Sequence, residues 1–315
     1  MMSKAAAPAG TVGVEPANPG ATRERAMFLA LCLVWGTTWL AMKVGIATVP
    51  PAFFAGTRWT IAGIALLVYR RLAGHSLAIP FRLRARLVLC SVLMVSLNQV
   101  IQLYGLYYVP AGLAAVLSSA LTPISLLGFS VAVGQERFHW RQAAAIALGV
   151  VGILVLFGPQ AVGGALHWQQ VLAAGGIAVG CLCYSAGSVL AKPVMRSVPP
   201  AHFAAMTNLI GGALLLVSSL IFEPGVIASL TAGWGWPAFG AWLYMLLPGS
   251  LGATIIYFLL VRDWGASRAG TYSFVSPVIA VAIGGWLFGE TVRAADILGT
   301  ALMLAAAGMV LQTRR

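Results

Sequence analysis

Charge is what this sequence has least of. Across 315 residues only 8% are Asp, Glu, Lys or Arg, while 60% are hydrophobic, and the mean hydropathy is +0.92. Soluble domains carry about 25% charged residues, so a soluble globule of this length is excluded and a bilayer is the expected solvent. The seven carboxylates avoid the middle of every apolar run, which argues against a proton relay of Asp or Glu inside a membrane. None of the three lysines follows a glycine-rich loop, so the phosphate cradle of an ATP-hydrolysing protein is missing. Of the four histidines, His75, His139 and His167 fall in loops and His202 opens a run; no GxSxG is present. A nucleophile with its base is not in sight, which speaks against an intramembrane enzyme. Cys32, Cys90, Cys181 and Cys183 lie inside apolar runs without a zinc-type partner set. They read as small buried apolar residues, and no metal or cofactor is implied. The net charge of +12 raises nucleic acid as a partner, but the basic residues are scattered between runs rather than clustered on one face, so that partner is not expected.

What is present is apolar length. Runs of roughly 18 to 24 residues, enough to cross a hydrocarbon core of about 30 Å as a helix, cover 27–47, 52–70, 86–107, 111–133, 140–157, 169–191, 201–222, 237–260, 266–288 and 293–311. The expected fold class is an all-α membrane protein of ten transmembrane helices joined by short turns. Residues 1–26 lack apolar period and the apolar core of a signal peptide, and read as an unstructured cytoplasmic tail. Sixteen of the 19 basic residues fall on the side of the N-terminus when the runs are threaded, which predicts both termini in the cytoplasm. Acidic lipid would be attracted to that side.

The chain says one thing twice. "KVGIATVPPAFF" and "KPVMRSVPPAHF" align at an offset of 149, matching Lys43 with Lys192, Pro50 with Pro199, Phe54 with Phe203, Ile61 with Ile210 and Gly63 with Gly212. At an offset of 154, Pro123 meets Pro277 and Glu136 meets Glu290, so the extra five residues fall in the loop after the second run. The unit repeated has five runs, over 27–160 and 161–315. Five is odd: the second copy enters the membrane from the opposite face, and two inverted copies related by an axis in the membrane plane are the usual basis of alternating access, with a site at their interface. Transport would be passive or ion-coupled. A channel would want a continuous polar stripe and a ring of charge, which the runs do not offer.

Trp35 and Gly36 early in the first run, "VPP" after it, and "SSALTPISLLGFSVAVGQE" paired with "SFVSPVIAVAIGGWLFGE" resemble the EamA domains of the drug/metabolite transporter superfamily over about 27–311. Within it the chain looks most similar to bacterial exporters of aromatic amino acids, the YddG-like group. The resemblance implies a central cavity lined by helices 1, 3, 4, 6, 8 and 9, a location in the bacterial inner membrane, and a small-molecule substrate such as an aromatic or neutral amino acid. A sugar, nucleotide-linked metabolite or drug is the alternative cargo. The oligomeric state is open, and a monomer is sufficient for this scheme.

Polar side chains in a bilayer face a cavity or another helix. In the third run Ser91, Asn98 and Gln102 fall on one helical face with Gln99 beside them, and an amide suits both ends of a zwitterion. Trp35, Thr38, Trp39 and Met42 share a face of the first run, and Tyr184 is the repeat partner of Trp35. Pro123 and Pro277 free carbonyls near Ser118, Ser119, Thr122, Tyr272 and Ser273, and the kinks are candidate hinges. Of these, Trp35, Thr38, Trp39, Asn98, Gln99, Gln102, Ser118, Ser119, Thr122, Tyr184, Tyr272 and Ser273 are the expected substrate-binding residues. Lys43 and Lys192, at matched helix ends, are candidate gates. Arg58 is expected to snorkel outward, although a substrate carboxylate is the other reading. Trp234 and Trp236 are expected in the interfacial belt, Glu136 and Glu290 in turns, and Gly176, Gly180 and Gly187 on a close-packing face.

Overall fold

The computed structural model describes residues 19–109, 111–161, 167–231, 233–279 and 294–312, and among them the only regular structure is helical. We number the helices α1 (Pro19–Gly45), α2 (Pro51–Leu72), α3 (Phe81–Tyr108), α4 (Ala111–Ala132), α5 (Trp140–Ala161), α6 (Trp168–Val194), α7 (Pro200–Phe222) and α8 (Trp236–Trp264). Helix α9 opens with Ala266–Ala269 and resumes over 272–279, and α10 spans Ala294–Gln312. The rest of the predicted ninth run, with Glu290, lies outside the described residues. A short helix, Val226–Thr231, precedes α8.

Helices α1, α2, α3, α6, α7 and α8 are long and apolar enough to cross a membrane, while α4, α5 and α10 hold shorter apolar stretches. Large side chains such as Leu72, Tyr69 and Phe222 stand exposed on the outside. Water would make that costly and hydrocarbon makes it neutral. The chain is a multi-pass membrane protein.

Helix α1 starts eight residues earlier than the unstructured tail 1–26 allowed. Proline at the first helical position has the right φ and no N–H to lose, and the early turns are held from outside: Trp264 Nε1 donates to Glu24 Oε2 at 2.6 Å, and the Phe28 ring lies 5.7 Å from that of Trp264. Residues 1–18 lie outside the described residues. The two "VPP" stretches act alike, each placing one proline just before a helix and the next in its first turn, at α2 and at α7.

Those two helices approach each other backbone to backbone. A Cβ on Gly63 would sit 2.6 Å from Leu209 Cα, one on Gly212 would sit 2.7 Å from the Trp59 carbonyl carbon and collide with the Thr60 backbone, and one on Gly56 would sit 2.6 Å from Leu216 N. Residue numbers rise along α2 as they fall along α7, so the pair is antiparallel. The offset of 149 turns Gly63 into Gly212 and Thr60 into Leu209, so the Gly63–Leu209 contact has its counterpart in Gly212–Thr60 with the helices exchanged. In lipid, where apolar side chains gain little by associating, such backbone approach is what holds helices together. The glycine face of α6 does the same against α3, with Gly176 beside Ile101, Gly180 beside Gln102 and Gly187 against Met94, as the spacing predicts.

Helices α3 and α8 each contain a π-helical stretch, Val92–Leu97 and Met245–Ala253. The offset of 154 places the first inside the second. A π turn widens the helix and rotates the residues beyond it, and the predicted face of α3 fails there. Ser91, before the π stretch, is fully buried and donates to Leu87 O at 2.8 Å, while Asn98 and Gln102, after it, turn inward.

Candidate functional site: a central cavity between the two halves

A cavity of about 530 Å³ lies at the centre of the bundle. It is reached by every residue the sequence proposed for binding: Trp35, Thr38 and Trp39 from α1; Asn98, Gln99 and Gln102 from α3; Ser118, Ser119 and Thr122 from α4; Tyr184 from α6; Tyr272 and Ser273 from α9. Met42 and Pro277 join them; Pro123, Lys43 and Lys192 do not. The resemblance implied walls from helices 1, 3, 4, 6, 8 and 9. Helices α2 and α7 contribute as well, with Arg58, Trp59, Thr207 and Asn208.

One wall is aromatic. The Trp35 ring is 4.7 Å from Tyr272, 5.1 Å from Tyr257 and 6.4 Å from Tyr184, the first and last edge-on. Tyr184 and Tyr257 are 5.6 Å apart. Four rings from α1, α6, α8 and α9 thus present faces and edges in one place, a geometry that favours another ring or a flat apolar group. Tyr257 is fully enclosed by its neighbours and was not foreseen.

The lining also has a polar part. Arg58 is 3% exposed, donates from Nη1 to Ser250 Oγ at 2.7 Å and from Nη2 to Gln99 Oε1 at 2.9 Å, and lies with its guanidinium carbon 4.4 Å from the centre of the Trp59 ring. The expectation that it snorkels outward is therefore wrong: Arg58 sits two turns into α2, on the face that meets α3 and α8, where its fork finds acceptors without leaving the bundle. Several candidate donors are already used. Thr38 Oγ1 donates to Trp35 O at 2.8 Å, and Gln102 Nε2 donates to Cys181 Sγ at 3.9 Å. Asn98 Nδ2 donates to Met94 O at 3.3 Å and Asn208 Nδ2 to Ser250 O at 3.0 Å, while Oδ1 of each accepts nothing among the described residues. Near the prolines, Ser125 Oγ donates to Leu121 O within α4 at 2.7 Å and Ser276 Oγ donates to Cys32 O of α1 at 3.2 Å. Cys183, expected buried, is half-buried.

The model of the EamA-like transporter family matches residues 24–158 and again 171–312. The chain belongs to the EamA-like transporter family. An Escherichia coli K12 protein named uncharacterized inner membrane transporter YedA is 31% identical over 288 residues, covering 89% of this chain and 88% of its own. A Salmonella typhimurium protein named probable amino-acid metabolite efflux pump is 26% identical over 297 residues, covering 88% of this chain and 92% of its own. A solved crystal structure, 22% identical, superposes with a TM-score of 0.73 over 92% of this chain and 98% of the other, and carries the fold alone.

Both ends of this EamA-like bundle are tied across helices. At the end where α1 starts, Ser188 Oγ and Tyr257 OH share a hydrogen bond of 2.7 Å, as do Ser125 and Ser185. Further out, Ser267 donates to Glu136 and receives Gln142 Nε2 at 2.9 Å. Glu136 does more than shape its turn, because it joins the α4–α5 loop to α9. Gly265, at φ +93°, lies under this network: a Cβ there would be 2.8 Å from Glu136 Oε1 and 3.4 Å from Lys192 Nζ. Gly265→Ala is expected to cost about 1–3 kcal/mol through its backbone conformation alone, read as a lower melting temperature in detergent. At the other end, Glu223 escaped the sequence reading. Its carboxylate accepts Ala52 N at 2.7 Å, Phe53 N at 2.9 Å, Tyr104 OH at 2.7 Å and Ser219 Oγ at 2.5 Å. A carboxylate at the start of α2 also meets the positive end of its dipole. Trp234, expected in the belt, instead packs half-buried against Phe53, Phe54 and Trp242, while Trp236 is 85% exposed.

Proposed function

We propose that the chain is an inner-membrane secondary transporter exporting aromatic or other neutral amino acids and similar small metabolites by alternating access between two inverted five-helix halves. The observation that carries this reading is a central cavity, lined by residues of both halves, that holds four aromatic rings together with a polar group centred on Arg58. The reciprocal α2–α7 contacts support the inverted repeat, since a two-fold axis in the membrane plane generates paired contacts of that kind. The tied end where α1 starts supports a state closed on that side. Lys43 and Lys192, the proposed gates, occupy the last turns of α1 and α6. The name of the Salmonella relative, an amino-acid metabolite efflux pump, favours the same cargo.

Proteoliposomes loaded with tritiated phenylalanine, leucine and glucose provide the test. The expected result is protein-dependent release of phenylalanine first, leucine next and glucose not at all. Glucose release with both amino acids retained would end the amino-acid reading. In the same assay Trp35→Ala, which removes the ring common to three of the aromatic contacts, is expected to lower phenylalanine release about tenfold or more, in line with the loss of an anchoring aromatic group, while the variant remains in the membrane.

A further inference from the structure

Among the described residues Arg58 is the one charged side chain lining the cavity, and no carboxylate there balances it. The ion pair formed by Arg262 with Asp263 is elsewhere, and Glu24, Glu136 and Glu223 are engaged at the two ends of the bundle. A guanidinium has five N–H donors. Two hydrogen bonds to neutral oxygens and a ring face engage it, and its Nε has no partner among the described residues. A buried cation of this kind is costly inside a bilayer unless an anion accompanies it. Its repeat equivalent at the offset of 149 is Thr207, which also lines the cavity, so the charge belongs to one half only and is not a by-product of duplication. In the same lining, Asn98 Oδ1 and Asn208 Oδ1 accept nothing among the described residues. Cation and acceptors stand in one chamber with the four rings.

We propose that Arg58, held in place by Ser250 and Gln99, is the carboxylate-recognising subsite of the cavity, so that the transported solute is an aromatic or apolar carboxylate whose ammonium group, where it has one, is taken by Asn98 and Asn208. The proposal rests on the transport reading above and sharpens it, because it makes the acid group of the cargo obligatory and the amino group secondary. Arginine suits the task through its fork, which meets both oxygens of a carboxylate. The two acceptors that now hold the fork are neutral and are exchanged for a charged one when the solute enters.

Calorimetric titration of the purified full-length chain with L-phenylalanine, L-phenylalaninamide, 3-phenylpropionate and phenethylamine separates the groups. The two acids are expected to bind about 30-fold or more tightly than the amide and the amine, the loss expected when one partner of a buried charge pair is removed. Arg58→Gln is expected to abolish that preference while leaving phenethylamine unchanged. Should Arg58→Gln fail to insert, Gln99→Glu supplies a resident carboxylate to the same guanidinium nitrogen, and the same loss of preference is expected. Equal affinity for acid and amine in the unaltered chain, or a preference that survives in the variants, overturns the proposal, as does binding of none of the four probes. Binding of 3-phenylpropionate that depends on Arg58, without binding or transport of any amino acid, sustains the subsite and removes the amino-acid reading. Release of phenylalanine from liposomes that is unaffected by Arg58→Gln does the reverse.

Discussion

Leucine at both Gly63 and Gly212 is expected to prevent the chain from accumulating as a folded protein in the membrane. Each position faces backbone rather than flexible side chain: Leu209 Cα on one side, the Trp59 carbonyl carbon and Thr60 on the other. A side chain there cannot be accommodated by a rotamer change, so α2 and α7 must separate along the seam. Overpacking of this kind costs about 1–3 kcal/mol for small insertions and more when backbone must move. Two such changes approach the whole stability of an ordinary domain, about 5–15 kcal/mol. The milder variants sharpen the test. Because the two contacts are each other's counterparts, Gly63→Ala and Gly212→Ala should lower the melting temperature in detergent by similar amounts. A large loss from one and none from the other would show that the seam is not reciprocal in energy.

Single cysteines placed at positions 43 and 192 are expected to react with a membrane-impermeant maleimide from opposite faces, an all-or-none difference. Lys43 is exposed at the end of α1 and Lys192 half-buried at the end of α6, five crossings apart in the inverted-repeat scheme. The native thiols interfere little, since Cys32, Cys90 and Cys181 are buried, and Cys183→Ala removes the half-buried one. Labelling of both positions from the same face would dismantle the inverted repeat and the transport cycle built on it. Labelling of position 192 from outside, with position 43 protected, would keep the repeat and reverse the orientation predicted from the basic residues.

The sequence announced the helices well because a span in lipid is written in hydropathy alone, and it marked their starts through the prolines of "VPP". Its twelve binding candidates reach one cavity for a related reason: Asn98, Gln102, Ser118 or Thr122 inside an apolar run has no water to turn to, so each faces the interior. What it hid were relations between distant segments. Arg58 looked unpartnered because its acceptors, Gln99 and Ser250, lie 41 and 192 positions away. Ser91 was misplaced because nothing in "VLMVSL" signals a π turn that rotates the remainder of α3. Glu223 drew no reading, because its role as the anchor of the α2 start depends on a helix 171 positions distant. Tail residues 19–26 carry no apolar period, and their helix is secured by Trp264, which sits at the far end of α8.

A surface complementary to its own copy has a history in it. The glycine seam between α2 and α7 is the kind of face through which one five-helix unit, encoded alone, would pair with a second identical unit as a symmetric dimer. Fusion of two such units into one gene removes the need for both to remain the same. On the inverted-repeat proposal, Arg58 in one half against Thr207 in the other, and Glu223 against Gly74, would be such departures, so that a cation and an anchoring carboxylate each needed to arise only once.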